Sequence, residues 1–394
     1  MVNKVLLKDI ATITTGSTAP KDKYFSNNGL PFIRAGHLET LIDKNNINEL
    51  PKIDDETGKQ LKLKKVNKGT ILFAKSGMSS TKNRVYICTE DAYIVNHLAA
   101  IIPDSRFIDN YFLKFFLEWF KPSRLIIDES YPSIRTTDIG NIEIQLPSLE
   151  NQMKIVKILN KAKLLIKTRK AQIEALDQLT QSVFLEMFGD IRINSKKFKQ
   201  VKLNEVITKI TTGKSLAGEG ISEYKVLKTS AVSYKFFKQN EVKYLPQDYV
   251  PPVSHIVNKG DVLVSRMNTS ELVGAAAYVF NEIKNVALPD RIWKLHYSRK
   301  INPIFLWYFI NQSYFRDKVT DIATGTSGSM KNISQKKYLN LSILLPDISL
   351  QNKFAEFVYK IQIEKDKMDK GLIELNNIFN SLMQRTFNGK LFPE

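Results

Sequence analysis

Apolar residues recur at alternating four- and three-residue spacing through residues 149–188, a stretch of forty residues without proline or glycine. This spacing places them on one face of an α-helix, and Gly189 follows at the position where such a helix ends. At about 1.5 Å per residue the helix would be about 60 Å long, which is typical of a spacer or of one half of a coiled coil. The apolar stripe, interrupted by the polar Arg169 and Thr180, consists of Ile155, Leu159, Ala162, Ile166, Ile173, Leu176 and Val183.

The same pattern returns 199 residues later, and a Leu-Pro dipeptide precedes each stretch, at 146–147 and 345–346. The chain therefore repeats one plan twice, a globular region of about 150 residues followed by a long amphipathic helix. The second stripe, interrupted by Lys365, consists of Phe354, Val358, Ile361, Met368, Leu372, Leu375, Phe379 and Leu382. The predicted segments are a globular domain over 1–148, a spacer helix over 149–189, a second globular domain over 190–346, and a spacer helix with a tail over 347–394.

The two globular regions share short motifs in the same order. Each opens with a β-forming segment that ends in Thr-Thr-Gly, at 14–16 and 211–213, and we expect this glycine to adopt a positive φ at a turn. Each then has a Lys-Gly turn, a buried strand and a basic residue, followed by a polar loop, an aromatic segment of helical spacing and a second polar loop. The polar loops cover 76–84 and 129–136 in the first region and 267–271 and 324–333 in the second.

Charge points to a class of partner. Lys and Arg number 58 against 40 acidic residues, which gives a net charge of +18 and an isoelectric point near 9.6. A polyanion such as DNA or RNA is the simplest partner for such a chain. A lysine-rich composition inherited from an AT-rich genome would raise the isoelectric point without any binding, and that alternative stays open.

The remaining composition limits the cellular compartment we expect for the chain and the metals or cofactors that it could bind. No apolar run reaches the length that spans a bilayer, and the first residues lack the hydrophobic region of a signal peptide, so we expect a cytoplasmic protein. Cys88 is the single cysteine, which excludes an internal disulfide and any multi-cysteine metal site. The four histidines are isolated and lack ligand spacing, so we expect no metal and no cofactor. They are His37, His97, His255 and His296.

The chain lacks the sequence patterns of enzymes that act on DNA. The Asn-Pro-Ile-Phe at 302–305 lacks the second proline of the motif with which adenine methyltransferases hold a flipped base. No P-loop occurs. The Pro-Asp pairs at 103–104, 289–290 and 346–347 are not followed at short range by the acidic-x-Lys of a metal-dependent nuclease. We therefore predict no catalytic residues in this chain.

The motifs in their duplicated order resemble the DNA-specificity subunit of type I restriction–modification systems, over essentially the whole chain. The resemblance implies an α+β fold with two target-recognition domains, each reading one half of a split sequence in double-stranded DNA. It also implies that the two long helices pair as an antiparallel coiled coil, set the half-site separation and dock two copies of an adenine-methylating modification subunit. A restriction or translocase subunit is a further implied partner.

The sequence departs from the family pattern in two places. Ser349 and Leu350 stand before the glutamine of the second helix, where an acidic residue often precedes it. The loop at 129–136 lacks the glycine-rich character of its counterpart at 324–333.

The resemblance and the loops together define candidate residues. Basic side chains beside the loops would anchor DNA phosphates, and Ser, Thr, Asn and Arg side chains in the loops would reach base edges. The candidate DNA-binding residues are Lys75, Ser76, Ser79, Ser80, Thr81, Lys82, Arg84, Tyr131, Arg135, Arg266, Asn268, Thr269, Ser270, Ser327 and Lys331. The candidate subunit-docking residues on the helices are Ile155, Leu159, Ile166, Ile173, Phe354, Ile361, Met368 and Leu375.

Two other functions stay open at the level of sequence. The first is a restriction-class enzyme with hidden catalytic activity, which methyl transfer from the purified chain alone would reveal. The second is a helical scaffold that does not bind DNA, which a loss of duplex binding in the presence of the partner would favour.

Overall fold

Two units, each with its own sheets and core, make up the part of the chain that the computed structural model describes, residues 3–44, 46–325 and 330–390. Unit 1 comprises Met1–Ala171 and Lys370–Glu394, and unit 2 comprises Gln172–Asp369. Sheets and helices are mixed in both units, so the predicted α+β fold class is confirmed. No helix of the described ranges is long and apolar enough to cross a membrane.

Unit 1 is built from short elements that precede the first long helix. Its strands are β1 (Asn3–Leu6), β2 (Ala11–Thr15), β3 (Leu30–Ile33), β4 (Lys52–Ile53), β5 (Lys65–Val66), β6 (Ile71–Ala74), β7 (Val85–Ile87), β8 (Ala92–Ile94), β9 (Leu98–Pro103) and β10 (Glu143–Leu146). Its α-helices are α1 (Leu7–Ile10), α2 (Leu38–Lys44), α3 (Asp55–Gln60), α4 (Asn110–Phe120), α5 (Thr136–Gly140) and α6 (Leu149–Phe188), the last continuing into unit 2. Its 3₁₀ helices are Asp22–Tyr24, Ala35–His37, Ile47–Glu49, Met78–Lys82 and Pro122–Leu125.

These strands form two four-stranded sheets and one two-stranded ribbon. The first sheet has the order β2-β9-β6-β7 and is antiparallel throughout. The second has the order β4-β3-β8-β5, with β3 and β8 parallel. The ribbon pairs β1 with β10, so the Leu-Pro that ends the globular sequence lies beside its first strand.

Strand β6 is apolar throughout because both of its faces are buried. Ile71 and Phe73 lie in the same core as α4, whereas Leu72 and Ala74 lie in a second core beneath the other sheet. Successive side chains of a strand point to opposite faces, so a strand between two cores reads as a continuous apolar run. Each large side chain buried this way contributes about 1.5–3 kcal/mol to folding.

Unit 2 repeats this plan with different residues. Its strands are β11 (Lys199–Lys202), β12 (Ile207–Thr211), β13 (Lys225–Leu227), β14 (Val242–Tyr244), β15 (Val262–Ser265), β16 (Met267–Asn268), β17 (Ala276–Tyr278), β18 (Val286–Ala287), β19 (Ile292–Tyr297), β20 (Lys331–Asn332) and β21 (Ser342–Leu345). Its α-helices are α7 (Pro303–Ile310), α8 (Ser313–Ile322), α9 (Gln335–Leu339) and α10 (Ile348–Phe387), the last continuing into unit 1. Its 3₁₀ helices are Leu203–Glu205, Thr229–Ala231 and Val253–His255.

The sheets of unit 2 follow the same logic as those of unit 1. An antiparallel sheet has the order β12-β19-β15-β17, and a smaller sheet has the order β14-β13-β18 with β13 and β18 parallel. Two ribbons pair β11 with β21 and β16 with β20. Strand β15 again divides its side chains between two cores, with Val262 and Val264 on one side and Leu263 on the other.

The two long helices, α6 and α10, have forty residues each and run antiparallel within each unit. In unit 1, Ile155 shares a core with Met383 and Phe387 near one end, and the Lys163 ammonium lies 4.9 Å from the Phe115 ring and 5.9 Å from the Phe379 ring. In unit 2, the rings of Phe184 and Phe188 each lie 5.4 Å from that of Phe354, and Lys365 pairs with Asp177 at 2.5 Å. The predicted antiparallel coiled coil is thus confirmed.

Helix ends are determined by local chemistry. Gly189 has a φ of +70°, and a β-carbon there would overlap the Ser195 hydroxyl, so the residue after α6 favours glycine. Asn302 caps α7, because its side-chain oxygen accepts the backbone N–H of Ile304 at 2.9 Å and Pro303 occupies the first helical turn. The Asn-Pro-Ile-Phe sequence is therefore a helix start.

The Thr-Thr-Gly motif corrects one expectation. Neither Gly16 nor Gly213 has a positive φ. A β-carbon on Gly16 would instead overlap the carbonyl oxygens of Ile94 and Val95, and one on Gly213 would overlap that of Leu288. Glycine is needed at these positions because the loop backbone passes against the end of a neighbouring strand, and no turn conformation is involved.

Candidate nucleic-acid interface

In unit 1, three loops meet where β6 ends. The Lys75 N–H donates to the His97 carbonyl at 2.9 Å, and the Lys75 carbonyl accepts the N–H of Ile134 at 2.7 Å. The Gly77 N–H donates to the Pro132 carbonyl at 2.9 Å. The two polar loops that sequence placed fifty residues apart are therefore joined by backbone hydrogen bonds.

The side chains on this junction are polar, basic and solvent-accessible. Tyr131 is 83% exposed. Lys82 in the first of the joined loops and Arg135 in the second are exposed as well. Ser76 bonds His97 Nδ1 through its hydroxyl at 2.7 Å. We call this surface the unit 1 loop face; it consists of Lys75, Ser76, Ser79, Lys82, Tyr131, Arg135, Asn96 and His97.

Three predicted residues of unit 1 have structural partners instead. Ser80 is buried and its hydroxyl donates to the Gly77 carbonyl at 2.7 Å, so it is not available to a DNA duplex. Arg84 is ion-paired with Glu39 at 2.6 Å and its side chain is only 25% exposed. The Thr81 hydroxyl donates to the Met78 carbonyl at 2.9 Å. These side chains shape the loop, and Ser80, Arg84 and Thr81 are engaged inside the unit through these contacts.

In unit 2 the equivalent junction uses the same backbone bonds. The Arg266 N–H donates to the Arg291 carbonyl at 3.0 Å, and the Arg266 carbonyl accepts the N–H of Ile333 at 3.0 Å. Strand β16 pairs with β20, which brings the loop after β15 against the loop before α9. We call this surface the unit 2 loop face; it consists of Arg266, Thr269, Ser270, Arg291 and Lys331.

The predicted residues of unit 2 divide in the same way. The Arg266 guanidinium reaches Asn332 Oδ1 at 3.4 Å, and the Lys331 ammonium donates to the Gly325 carbonyl at 2.9 Å. Asn268 donates to the hydroxyls of Ser233 and Ser265 and accepts the Thr269 N–H, so its amide is engaged inside the unit. Ser327 lies outside the described residues.

Sequence reasoning missed His97 and Arg291. Both are exposed, and each supplies the carbonyl that binds the basic residue after the buried strand. In the sequence, His97 is one of four isolated histidines, and Arg291 lies outside the four predicted polar loops. His97 and Arg291 occupy equivalent positions in the two repeats. The recurrence of a polar residue at this position is the signal that could have identified them from sequence. No group of His, Cys, Asp or Glu in the described ranges could hold a metal ion.

The predicted docking stripe is also turned inward. Ile155, Leu159 and Phe354 are at most 3% exposed and belong to the cores of their own units, so another subunit could not reach them. The other five predicted positions are half-buried along the same helix faces; these are Ile166, Ile173, Ile361, Met368 and Leu375.

Different apolar residues of the long helices are exposed to solvent. Four of them are related in pairs by the 199-residue repeat, Leu164 with Ile363 and Leu179 with Ile378, and they are between 44% and 62% exposed. Other exposed apolar residues of the same helices include Met153, Leu165, Leu185 and Ile373. Each unit therefore presents exposed apolar residues from both helices.

Comparison with known proteins gives these features a family context. Residues 2–175 match a family model described as the type I restriction modification DNA specificity domain. The chain is 23% identical to the EcoKI specificity subunit of Escherichia coli K12, across 98% of this chain and 89% of that protein. It is 30% identical to the MjaVIII specificity subunit of Methanocaldococcus jannaschii, across 62% of this chain and 61% of that protein.

A solved structure has the same fold. The crystal structure of the type I restriction–modification system S subunit from M. genitalium superposes with a TM-score of 0.60 at 15% identity, covering 100% of this chain and 96% of that chain.

Proposed function

We infer the function of this chain from its family, since it belongs to the DNA specificity subunits of type I restriction–modification systems. The chain recognises DNA in that capacity. The finer proposal is that each loop face reads one half of a bipartite target in double-stranded DNA. The observation that carries it is the duplicated junction, in which the same backbone bonds present basic and polar side chains in both units.

The mechanism proposed is direct readout combined with phosphate anchoring. Lys75, Lys82 and Arg135 in unit 1 would neutralise phosphates, as would Arg266 and Lys331 in unit 2. The hydroxyl, amide and imidazole groups beside them have the donors and acceptors that distinguish base pairs in the major groove. A fold that bonds these loops to strand ends holds them ready for binding, which limits the entropy lost on association.

We further propose that residues 1–148 and 190–346 act as the two target-recognition domains. The chain itself would be non-catalytic and would work with two copies of an adenine-methylating modification subunit and with a restriction subunit. The exposed apolar residues of the long helices, among them the adjacent Leu164 and Leu165, support docking, because apolar side chains grouped on a surface are typical of interaction sites. Their repeat by the 199-residue offset favours two equivalent partners.

Sequencing of methylated adenines tests this function. Cells that express the modification subunit with this chain should methylate one bipartite sequence, and cells that lack the chain should not methylate it. The informative variants are Arg291→Ala and His97→Ala, each expected to relax the letters of one half-site only. Methylation that is independent of the chain would contradict the proposal, and so would relaxation of both half-sites by either single variant.

A further inference from the structure

Helix α8 of unit 2 buries an arginine for which the described residues supply no carboxylate partner. Arg316 is 9% exposed, and its Nη2 donates to the Glu271 carbonyl at 3.0 Å. Its Nη1 is buried without a hydrogen-bond partner in the described part of the chain. Burial lowers the pKa of the Arg316 guanidinium to about 10. Burying such a group is costly, and the bond to Glu271 is the interaction that offsets part of this cost.

A second side chain of α8 lies against the neighbouring carbonyl. The Thr320 hydroxyl, one turn of helix beyond Arg316, lies 3.1 Å from the Arg316 carbonyl oxygen of its own helix and 3.4 Å from the Ser270 carbonyl oxygen of the loop. Gly274 has a φ of +78°, and a β-carbon there would overlap Val319 and lie 2.7 Å from Arg316 Nη1. The loop between β16 and β17 therefore rests directly on α8, with the Glu271 carbonyl bound by Arg316 and the Ser270 carbonyl beside Thr320.

This loop is the one that carries candidate base contacts in unit 2. Its single turn is closed by the N–H groups of Leu272 and Val273, which donate to the Thr269 carbonyl at 3.1 and 2.9 Å. Val273 is fully buried, whereas Glu271 is exposed and Ser270 is half-buried. The side chains of the turn are thus the groups offered to an outside partner, while the Glu271 carbonyl is bound to α8.

We propose that Arg316 and Thr320 are positioning residues for half-site recognition by unit 2, and that they determine which bases its loop face reads without touching DNA. This inference rests on the proposed DNA-recognition function. Its physical basis is preorganisation: a loop whose Glu271 carbonyl is bound by Arg316, and whose Ser270 carbonyl lies against Thr320, presents its side chains in one arrangement. Discrimination between bases needs such precision. In unit 1 the corresponding loop is held by a different bond, between the Ser123 N–H and Asn83 Oδ1 at 2.8 Å. Changes in α8 should therefore affect one half-site only.

The test uses the full chain in complex with its modification subunit and a duplex library randomised at both half-sites. Arg291→Ala identifies the half-site read by unit 2. Arg316→Met should reduce the preference for the correct bases there by about tenfold, which corresponds to one base pair of discrimination. Arg316→Lys should restore part of that preference, and Thr320→Val should reduce it less. Lys318→Met, which removes a charge from the same helix away from the loop, is the control and should change neither half-site.

Several results would overturn the proposal. Unchanged preference in both Arg316→Met and Thr320→Val would do so, as would an equal loss at both half-sites that follows a fall in melting temperature. If Arg316→Met does not fold, Thr320→Val decides, because it removes only a hydroxyl: selective loss at the unit 2 half-site supports positioning, and unchanged preference contradicts it. A wild-type complex with no preference at either half-site would overturn the DNA-recognition function and this inference together, before any variant is compared.

Discussion

At the scale of single residues, Gln152 and Gln351 connect the start of each long helix to its own globular core. Gln152 is fully buried; its amide oxygen accepts the Asp109 N–H at 2.8 Å and its amide nitrogen donates to the carbonyls of Phe107 and Pro147. Gln351 makes the equivalent three bonds in unit 2. The glutamine after each Leu-Pro is thus a structural residue that satisfies backbone groups at the start of α4 and α7.

Substitution of Gln152 by leucine should destabilise unit 1. The leucine fills similar space but leaves one part-buried N–H and two part-buried carbonyls without their partner. A fully buried group of this kind costs about 1–3 kcal/mol, and a part-buried one costs less. We expect an earlier unfolding transition in denaturant or on heating. Asn160→Leu, at an exposed position of the same helix, is the control. Equal stability of Gln152→Leu and Asn160→Leu would show that water replaces the lost bonds.

At the scale of elements, each long helix has two apolar faces with different roles. One face packs inside the chain, with Phe354 and Phe184 in unit 2 and Phe387 against the rings of Phe112 and Phe116 in unit 1. The other face carries large apolar residues that are exposed to solvent, among them the adjacent Leu164 and Leu165. Helical periodicity identifies the first face because its residues recur regularly, whereas the exposed residues are spaced irregularly and are found only when burial is known.

The exposed residues of unit 1 should determine how many partners bind. Leu164→Lys combined with Ile378→Lys places charges on the proposed contact and should reduce bound modification subunits from two to one. Light scattering of the purified complex measures this. Asn160→Lys with Asn377→Lys adds the same charges to exposed positions of the same helices and should leave two subunits bound. If the variant with Leu164→Lys and Ile378→Lys still binds two modification subunits, docking does not depend on these two residues.

At the scale of the whole molecule, charge and the continuous helices are the relevant properties. The net charge of +18 is spread over a chain whose two loop faces both carry basic side chains. Helices α6 and α10 are the covalent connections between the units, since each passes from one unit into the other. Both properties lead to predictions that involve the full chain.

Binding of the complex to DNA should depend steeply on salt. With about six to ten phosphates contacted, affinity should fall about a thousandfold or more between about 50 and about 200 mM salt, because bound counterions are released. Lys75→Met and Arg266→Met should each lower the slope of log affinity against log salt by about one. Lys167→Met, at an exposed position of α6, should not. A flat salt response would contradict phosphate anchoring.

Lengthening both helices should widen the gap between half-sites. The helices pair antiparallel inside each unit, so a heptad inserted after Ala171 must be matched by one before Lys370 to keep the apolar stripes in register. The insertion adds about 10 Å, equal to about three base pairs at about 3.4 Å each. Methylated-site sequencing should show the wider gap with unchanged half-site letters. Insertion of two residues into each helix rotates the stripes apart and should abolish assembly, whereas an unchanged gap after heptad insertion would mean the helices do not set the separation.

The repeated plan, the long paired helices and the α+β class could be predicted from the sequence alone, because these follow from local periodicity and from motifs that recur at a constant offset. Lys75 and Arg266 were found for the same reason, each following a buried strand. The helical spacing of aromatic residues also predicted the aromatic helices α4 and α7. This spacing indicates that each helix packs in a core, but it does not identify which core.

Which polar residues are free and which are used internally depends on how the chain folds. Arg84 and Asn268 look like His97 and Arg291 in sequence, and they differ because partners distant along the chain engage them, Glu39 for Arg84 and Ser233 for Asn268. The glycine of Thr-Thr-Gly was identified for the wrong reason, since the strand end that leaves no space for a side chain lies about eighty residues away in sequence. Partners at such separations are brought together by folding, and neither residue spacing nor composition records them.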